Sequence, residues 1–298
     1  MAVLVNGDLY GFGWAEAGRL GTGDTGSCLF PTKVLALQDV QAVACGREHT
    51  LALKKDGQVY AFGAGFGGRL GNDSEADEEY PVLVQGLDGE RVVRIDAGEC
   101  HSGAVNDMGE VFTWGFGNSG ALGNGTRENR LLPDKIVGPW VAEQDRDGKA
   151  AAVTSIACGS YHTLVSTSTG KLYGWGDSAA GQLGAENTSA EDMVVLSPQE
   201  IQFRPAIEEN NGKKKSPRSS SKSPAMIRDI ACGTFTSAVC TEDGKLFMWG
   251  SPAAGNGAKL DAEAASVEQI DALADFSISR IACGAYHSVA LTRGLEYF

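Results

Sequence analysis

A glycine register repeated along this chain, with its internal spacing unchanged from copy to copy, leaves few architectures open to it. In "VACGREHTLALKKDGQVYAFG", "IDAGECHSGAVNDMGEVFTWG", "IACGSYHTLVSTSTGKLYGWG" and "IACGTFTSAVCTEDGKLFMWG", the first glycine (Gly46, Gly98, Gly159, Gly233) is followed eleven residues later by a second (Gly57, Gly109, Gly170, Gly244). A third closes each copy six residues further on, at Gly63, Gly115, Gly176 and Gly250. Each copy is then one supersecondary unit that buries its apolar face against its neighbours, and function belongs to the assembled array. Residues 3–13 read as the second half of a unit. Residues 281–294, which carry Gly284 and His287, read as the first half, so pairing of the two halves would close the array.

Within a unit, Leu51 and Leu53 alternate with smaller or polar neighbours, and Asp56-Gly57 is a two-residue hairpin signal. Val59, Tyr60 and Phe62 then supply a β-branched and aromatic return strand. A short apolar strand ending in Ala-Cys-Gly precedes the hairpin. A glycine-rich bend follows, ending in Leu-Gly at residues 20–21, 70–71, 122–123 and 183–184. No stretch has helical periodicity of useful length, so the array is all-β, and radial repetition into a propeller leaves only short sheet edges. Forty glycines suit so many tight turns.

These motifs, [VI]-A-C-G-x-x-H-[TS]-x-A-L, then D-G-x-[VL]-Y-x-[FW]-G, then G-x-L-G, resemble the regulator of chromosome condensation repeat family. The resemblance covers almost the whole chain and implies a β-propeller of four-stranded blades. Family members with a full ring have seven blades, whereas this chain supplies about five blade equivalents over one repeat domain, residues 1–298. The ring is therefore expected to be smaller, or incomplete and open. The fourth unit has "SPAAGNGAKL" in place of its Leu-Gly bend and Thr236 in place of histidine.

Composition narrows the function. The formal net charge is −13 and the pI about 4.8, which disfavours direct nucleic-acid binding through phosphates and favours basic partners. There is no run of about eighteen apolar residues and no signal-like start, so the expected address is the cytoplasm or nucleus, with no membrane span. Four of the seven cysteines (Cys45, Cys158, Cys232, Cys283) share one register position and read as small buried core residues. No CxxC pair suggests zinc.

His49, His101, His162 and His287 all lie three residues after the first glycine of their unit. A catalytic histidine should occur once, so a recurring one reads as a structural hydrogen-bonding residue. No nucleophile elbow, phosphate loop or metal cluster is present, and no catalytic residue, metal or cofactor is expected. The in-register aromatics Phe12, Phe62, Trp114, Trp175 and Trp249 read as core. Light-sensing members of the family carry a Gly-Trp-Arg-His-Thr motif. The residues here that match its tryptophan are Arg47, Glu99, Ser160, Thr234 and Ala285, so that chemistry is not supported.

What varies between units is the dipeptide between glycine and histidine: Arg47-Glu48, Glu99-Cys100, Ser160-Tyr161, Thr234-Phe235 and Ala285-Tyr286. A propeller would display these turns on one face, as partner-binding positions or as tolerant loops. Residues 73–79, with Asp77, Glu78 and Glu79, form either a solvated loop or a docking patch for a basic partner. The insertion at 205–225 has a disordered composition, and its Ser216-Pro and Ser223-Pro pairs are candidate phosphorylation sites. The family resemblance implies guanine-nucleotide exchange on a Ras-like small GTPase. The competing reading is an interaction scaffold in a small-GTPase, trafficking or signalling pathway.

Overall fold

Each copy of the register folds into antiparallel strands because its parts do distinct local jobs. The alternating residues of His49–Lys54 and Val59–Gly63 pair directly, Leu51 lying across from Ala61 and Leu53 across from Val59. The reversal between them is a three-residue loop, not the two-residue turn expected from Asp56-Gly57. Lys54 N donates to Gln58 O at 2.9 Å, Gly57 N donates to Lys54 O at 3.0 Å, and Gly57 takes φ +93°. A type I turn closed by a left-handed bulge needs glycine at that one position only. The residue before it is free to be Asn6, Asp56, Met108, Thr169 or Asp243, while Gly109, Gly170 and Gly244 keep positive φ.

A computed structural model describes residues 1–145, 147–184, 193–203, 226–251 and 267–293. They form sheets that we number as blades one to six. Blade one has three strands, Ala2–Val3, Leu9–Gly13 and Cys28–Lys33. Blade two is Val40–Cys45, His49–Lys54, Val59–Gly63 and Glu78–Leu83, and blade three is Val92–Ala97, His101–Asn106, Val111–Gly115 and Arg130–Ile136. Blade four is Val153–Cys158, His162–Thr167, Leu172–Asp177 and Val194–Ile201, and blade five is Ile227–Cys232, Thr236–Thr241, Leu246–Gly250 and Glu268–Gln269. Blade six has two strands, Ile278–Cys283 and Ser288–Thr292.

The expected pairing of the terminal half-units does not form, because residues 3–13 and 281–292 lie in different sheets. Each packs on its chain neighbour instead, Ala2–Val3 against Val40–Cys45 and Ile278–Cys283 against Ile227–Cys232. The same side-chain bonds recur at the three junctions between blades two and five, so the rotation there is set locally and not by a need to join the ends. The result is an incomplete propeller of four-stranded blades, flanked by partial ones.

The core lies between blades. Phe62, Trp114, Trp175 and Trp249 are fully buried, each at the end of a third strand and under the Leu-Gly bend of the preceding blade. Trp114 Nε1 donates to Arg69 O at 3.0 Å, Trp175 Nε1 to Ala121 O at 2.8 Å, and Trp249 Nε1 to Gln182 O at 2.9 Å. Buried indoles keep their N–H groups satisfied in this way. A segment between blades three and four adds Trp140, buried against Tyr173 and Trp175 with ring centroids 5.3 and 6.4 Å away. Among the described residues, no helix is long and apolar enough to cross a membrane. The insertion at 205–225, with Ser216 and Ser223, and most of the degenerate bend after Gly250 lie outside the described residues.

Candidate functional site

The recurring histidines sit at the junctions between blades. His49 Nε2 lies 2.9 Å from Ser102 Oγ, His101 Nε2 2.8 Å from Thr163 Oγ1, and His162 Nε2 3.0 Å from Ser237 Oγ, in each case one blade further on. Each hydroxyl in turn donates to a bend carbonyl of the histidine's own blade: Ser102 to Arg69 O at 2.8 Å, Thr163 to Ala121 O at 2.8 Å, and Ser237 to Gln182 O at 2.7 Å. With its proton committed there, the hydroxyl can only accept from the ring, so these imidazoles are neutral Nε2–H tautomers. Burial pushes their pKa values down to about 3, 4 and 3 for His49, His101 and His162. His287 holds the same register position but is exposed, with no following blade among the described residues.

The first strands stand innermost and contact one another around the axis. Gly46, Gly98, Gly159 and Gly233 end four of them. A Cβ on any of these would lie closer than 3.0 Å both to the carbonyl of the next blade's equivalent glycine and to the blade's own His or Thr236 side chain. The backbones can meet there only because no side chain intervenes. Arg47 N donates to Gly98 O, Glu99 N to Gly159 O and Ser160 N to Gly233 O, each at 3.2 Å.

Inside this ring of amides lies a cavity of about 560 Å³, lined by the end of the first strand and the following dipeptide in blades two to six. Of the register cysteines, Cys158 is buried in the core as the sequence suggested, Cys232 and Cys283 are half-buried against it, and Cys45 is not a core residue. Cys45, Cys158, Cys232 and Cys283 line the cavity, and Cys45 is exposed to it. Alternate side chains of an innermost strand point at the axis, and a propeller axis is a channel, not a packed interior. Burial still raises all four thiol pKa values, and Asp96 adds to the rise at Cys45, Cys158 and Cys232. All seven cysteines are free. Among the described residues, no group of three or more His, Cys, Asp or Glu side chains is placed to hold a metal ion.

The variable dipeptides do converge at the mouth of this cavity. Arg47 pairs with Glu99 across a junction, Tyr161 Oη lies 3.5 Å from Glu99 Oε1, and the Tyr161 and Phe235 rings are 6.1 Å apart. Tyr286 stands 89% exposed at the end of the same series. Glu48 lies 3.6 Å from the Arg69 guanidinium.

The Leu-Gly bends surround the mouth on the same face. Ala64 N donates to Glu48 O at 2.8 Å, Phe116 N to Cys100 O at 2.9 Å, Asp177 N to Tyr161 O at 2.9 Å and Ser251 N to Phe235 O at 2.8 Å. The bends carry residues the sequence reading passed over. Arg19 lies 5.2 Å under the Trp14 ring and donates to Arg47 O at 3.3 Å. Arg69, 2% exposed, lies 5.6 Å from the Phe66 ring and donates to Glu99 O at 3.2 Å. The arginines thus brace two aromatic rings that remain in solvent, Trp14 at 66% and Phe66 at 57% exposure, and Phe66 continues to Phe116 at 5.7 Å. The available signals were the repeated Arg-Leu-Gly of the first two bends and a tryptophan outside the aromatic register.

The acidic loop is largely exposed and carries its own hydrogen bonds. Asp77 Oδ1 accepts from Gly65 N at 2.9 Å, as Asn129 Oδ1 accepts from Gly117 N at 3.1 Å one blade on, so Asp77 closes its own loop. Glu78 Oε1 accepts from Asn72 Nδ2 at 3.1 Å. Glu79 takes Gly23 N on its carbonyl at 3.0 Å, leaving its side chain exposed.

Comparisons with known proteins agree with this geometry. The ultraviolet-B receptor UVR8 of Arabidopsis thaliana is 29% identical over 294 residues, covering 98% of this chain and 60% of the receptor. The human E3 ubiquitin-protein ligase HERC2 is 30% identical over 328 residues, covering 97% of this chain and 7% of the ligase. The chain thus spans under two thirds of either relative. Among solved structures, human WBSCR16 superposes with a TM-score of 0.75 at 28% identity, covering 95% of this chain and 68% of that one. Prp20p of Saccharomyces cerevisiae, whose structure is described with its binding properties to Gsp1p and histones, gives 0.75 at 22% identity over 99% and 66%. A model of the regulator of chromosome condensation (RCC1) repeat matches residues 6–53, 56–105, 108–166 and 169–240, and a second model of that repeat matches 40–69, 153–182 and 227–256. With the register, the blades and these matches in agreement, the chain belongs to the regulator of chromosome condensation (RCC1) repeat family.

Proposed function

We propose that this chain is a protein-interaction scaffold that holds a partner on its mouth face, working in the cytoplasm or nucleus in a small-GTPase, trafficking or signalling pathway. One observation carries the reading. The positions that vary between units gather on a single face, together with exposed aromatic rings and the exposed Arg47, while the repeated polar residues are consumed by the junctions. Aromatic and arginine side chains around a concave centre are the composition of binding hot spots. The test is site-specific photo-crosslinking from Phe66 or Tyr286 on the mouth face and from Lys55 or Met108 on the hairpin face. Protein adducts from the mouth positions support the reading, and adducts confined to the hairpin face overturn it.

A second reading, guanine-nucleotide exchange on a Ras-like small GTPase, follows from the family, in which Prp20p, alike in fold, binds Gsp1p. Exchange needs no bond chemistry in the propeller, only tighter binding to the nucleotide-free GTPase than to the loaded form. Labelled GDP release from a panel of small GTPases separates the two. Acceleration that is lost in Tyr286→Ala favours exchange, and nucleotide-independent binding without release favours the scaffold.

A further inference from the structure

Asp96 is the one acidic residue in a position the other blades give to alanine. Ala44, Ala157, Ala231 and Ala282 precede the axial residue of their strands, and Asp96 stands there in blade three, just before Ala97, which lines the cavity. Its carboxylate accepts from Cys158 N at 2.6 Å. It is close enough to Cys45, Cys158 and Cys232, all in the cavity wall, to oppose their ionisation. Burial pushes its own pKa up to about 6, and the opposing contributions come from the backbone amides of Cys158 and Ala97. Among the described residues, no cation pairs with it. At neutral pH it is therefore mostly an anion, half-buried, held by a backbone amide and without an ion-pair partner among the described residues, a charge that would attract an arriving cation.

The approach to that charge suits a cationic side chain. Glu99 stands at the mouth with its side chain only 14% exposed and paired with Arg47, whose side chain is 64% exposed and can give way to an incoming cation. Tyr161 and Phe235 stand beside each other on the rim, followed by the exposed Tyr286, and aromatic faces attract cations and cover aliphatic stems. The opening, at about 560 Å³, lies within the size range of ligand-binding pockets. The chain carries a net charge of −13, which draws basic partners to it.

We propose that the axial mouth is a receptor for a lysine or arginine side chain on an extended basic segment of the partner protein, with Glu99 as its direct counter-ion, the Asp96 charge behind the wall adding attraction, and Tyr161, Phe235 and Tyr286 as its rim. This rests on the scaffold reading, whose face it shares, and specifies the chemistry of what that face receives.

The experiment uses the full chain and three fluorescein-labelled nonapeptides of one backbone sequence, lysine/arginine-rich, glutamine-substituted and glutamate-substituted. Anisotropy is read at 50 and 300 mM NaCl. The basic peptide should bind at least about tenfold more tightly than the neutral one at both salts, and the acidic one should not bind. Asp96→Asn and Tyr286→Ala should each weaken the basic peptide by about five- to tenfold. Tyr286 is exposed, so its variant keeps the fold whatever happens at Asp96, and a urea midpoint verifies both proteins.

Equal binding of the neutral peptide, preference for the acidic one, absence of binding by the basic one, or basic binding that vanishes at 300 mM NaCl and ignores both substitutions overturns the proposal. Hydrogen exchange separates this failure from failure of the scaffold reading. Protection of residues 45–48, 97–100 and 158–161 by a neutral or acidic peptide would leave the mouth a binding face with a different preference, whereas crosslinked partners confined to the hairpin face would remove both.

Discussion

Lowering the pH from 8 to 5.5 should cost this fold about 3 kcal/mol, because its junction histidines are neutral and buried. In the unfolded chain each imidazole takes up a proton near pH 6.5, but in the fold only at about 3 for His49, 4 for His101 and 3 for His162. Between those limits the unfolded state binds more protons. The stabilisation is therefore complete above about pH 6.5 and is lost as the pH falls below it. At pH 5.5 each histidine has lost about 1.4 kcal/mol, and the three together about 4 kcal/mol. Asp96 works in the opposite sense. Its pKa is raised from 3.8 to about 6, so over the same interval the folded state gains the proton, recovering about 1 kcal/mol. Urea unfolding followed by tryptophan fluorescence at pH 8, 7, 6.5, 6 and 5.5 measures the net loss, since Trp114, Trp175 and Trp249 lie in the junctions. The His101→Gln variant should start less stable but lose about a third less of the histidine contribution. A profile flat to within about 0.5 kcal/mol over this range, or a junction histidine titrating near 6.5 by NMR, would refute the neutral relay.

Trp175→Ala should cost about 3–5 kcal/mol in the urea midpoint, since it empties a buried site and leaves Ala121 O one donor short. Gly98→Ala should cost about 1–3 kcal/mol, because its methyl group meets the Gly159 carbonyl and the His101 ring. Timed maleimide labelling read by mass spectrometry should modify Cys45 well before Cys158 and Cys240, which are buried and should react only on unfolding. Trp14→Ala should change stability by no more than about 0.5 kcal/mol, as its ring is largely in solvent; a larger loss would mean that the ring is structural.

Much of the blade was legible in the sequence because its determinants are local. A hairpin needs one left-handed glycine, and Gly57, Gly109, Gly170 and Gly244 announce it. An aromatic in every third strand marks the inter-blade core in the same way. The two-residue turn was misjudged because Asp-Gly suits either loop length, and the residue before the glycine, as different as Met108 and Thr169, was the clue to the longer one. Cys45 was misplaced for a different reason. An apolar, small-residue setting looks alike whether the side chain meets a neighbouring strand or an axial channel, and only the ring arrangement distinguishes them. Arg19 and Arg69 were missed because what identifies them is a contact between blades, beneath Trp14 and Phe66, which spacing within one unit does not encode. The mouth was legible in outline, since the glycine-to-histidine dipeptides do gather there, but Asp96 lies inside a strand, where spacing within one unit does not mark it.

The histidine, hydroxyl and carbonyl chain between blades works as a common coupling. His49, His101 and His162 present the same group forward, and Ser102, Thr163 and Ser237 offer the same receiving group, although the blades that carry them differ in most other residues. Excising blade three would bring His49 opposite Thr163, a pair as well matched as either original one. Duplicating a blade would likewise create a junction of familiar chemistry. Blade number in such a chain is therefore a modular variable, changed by whole units without the invention of a new interface, while the exposed face each unit carries remains free to diverge.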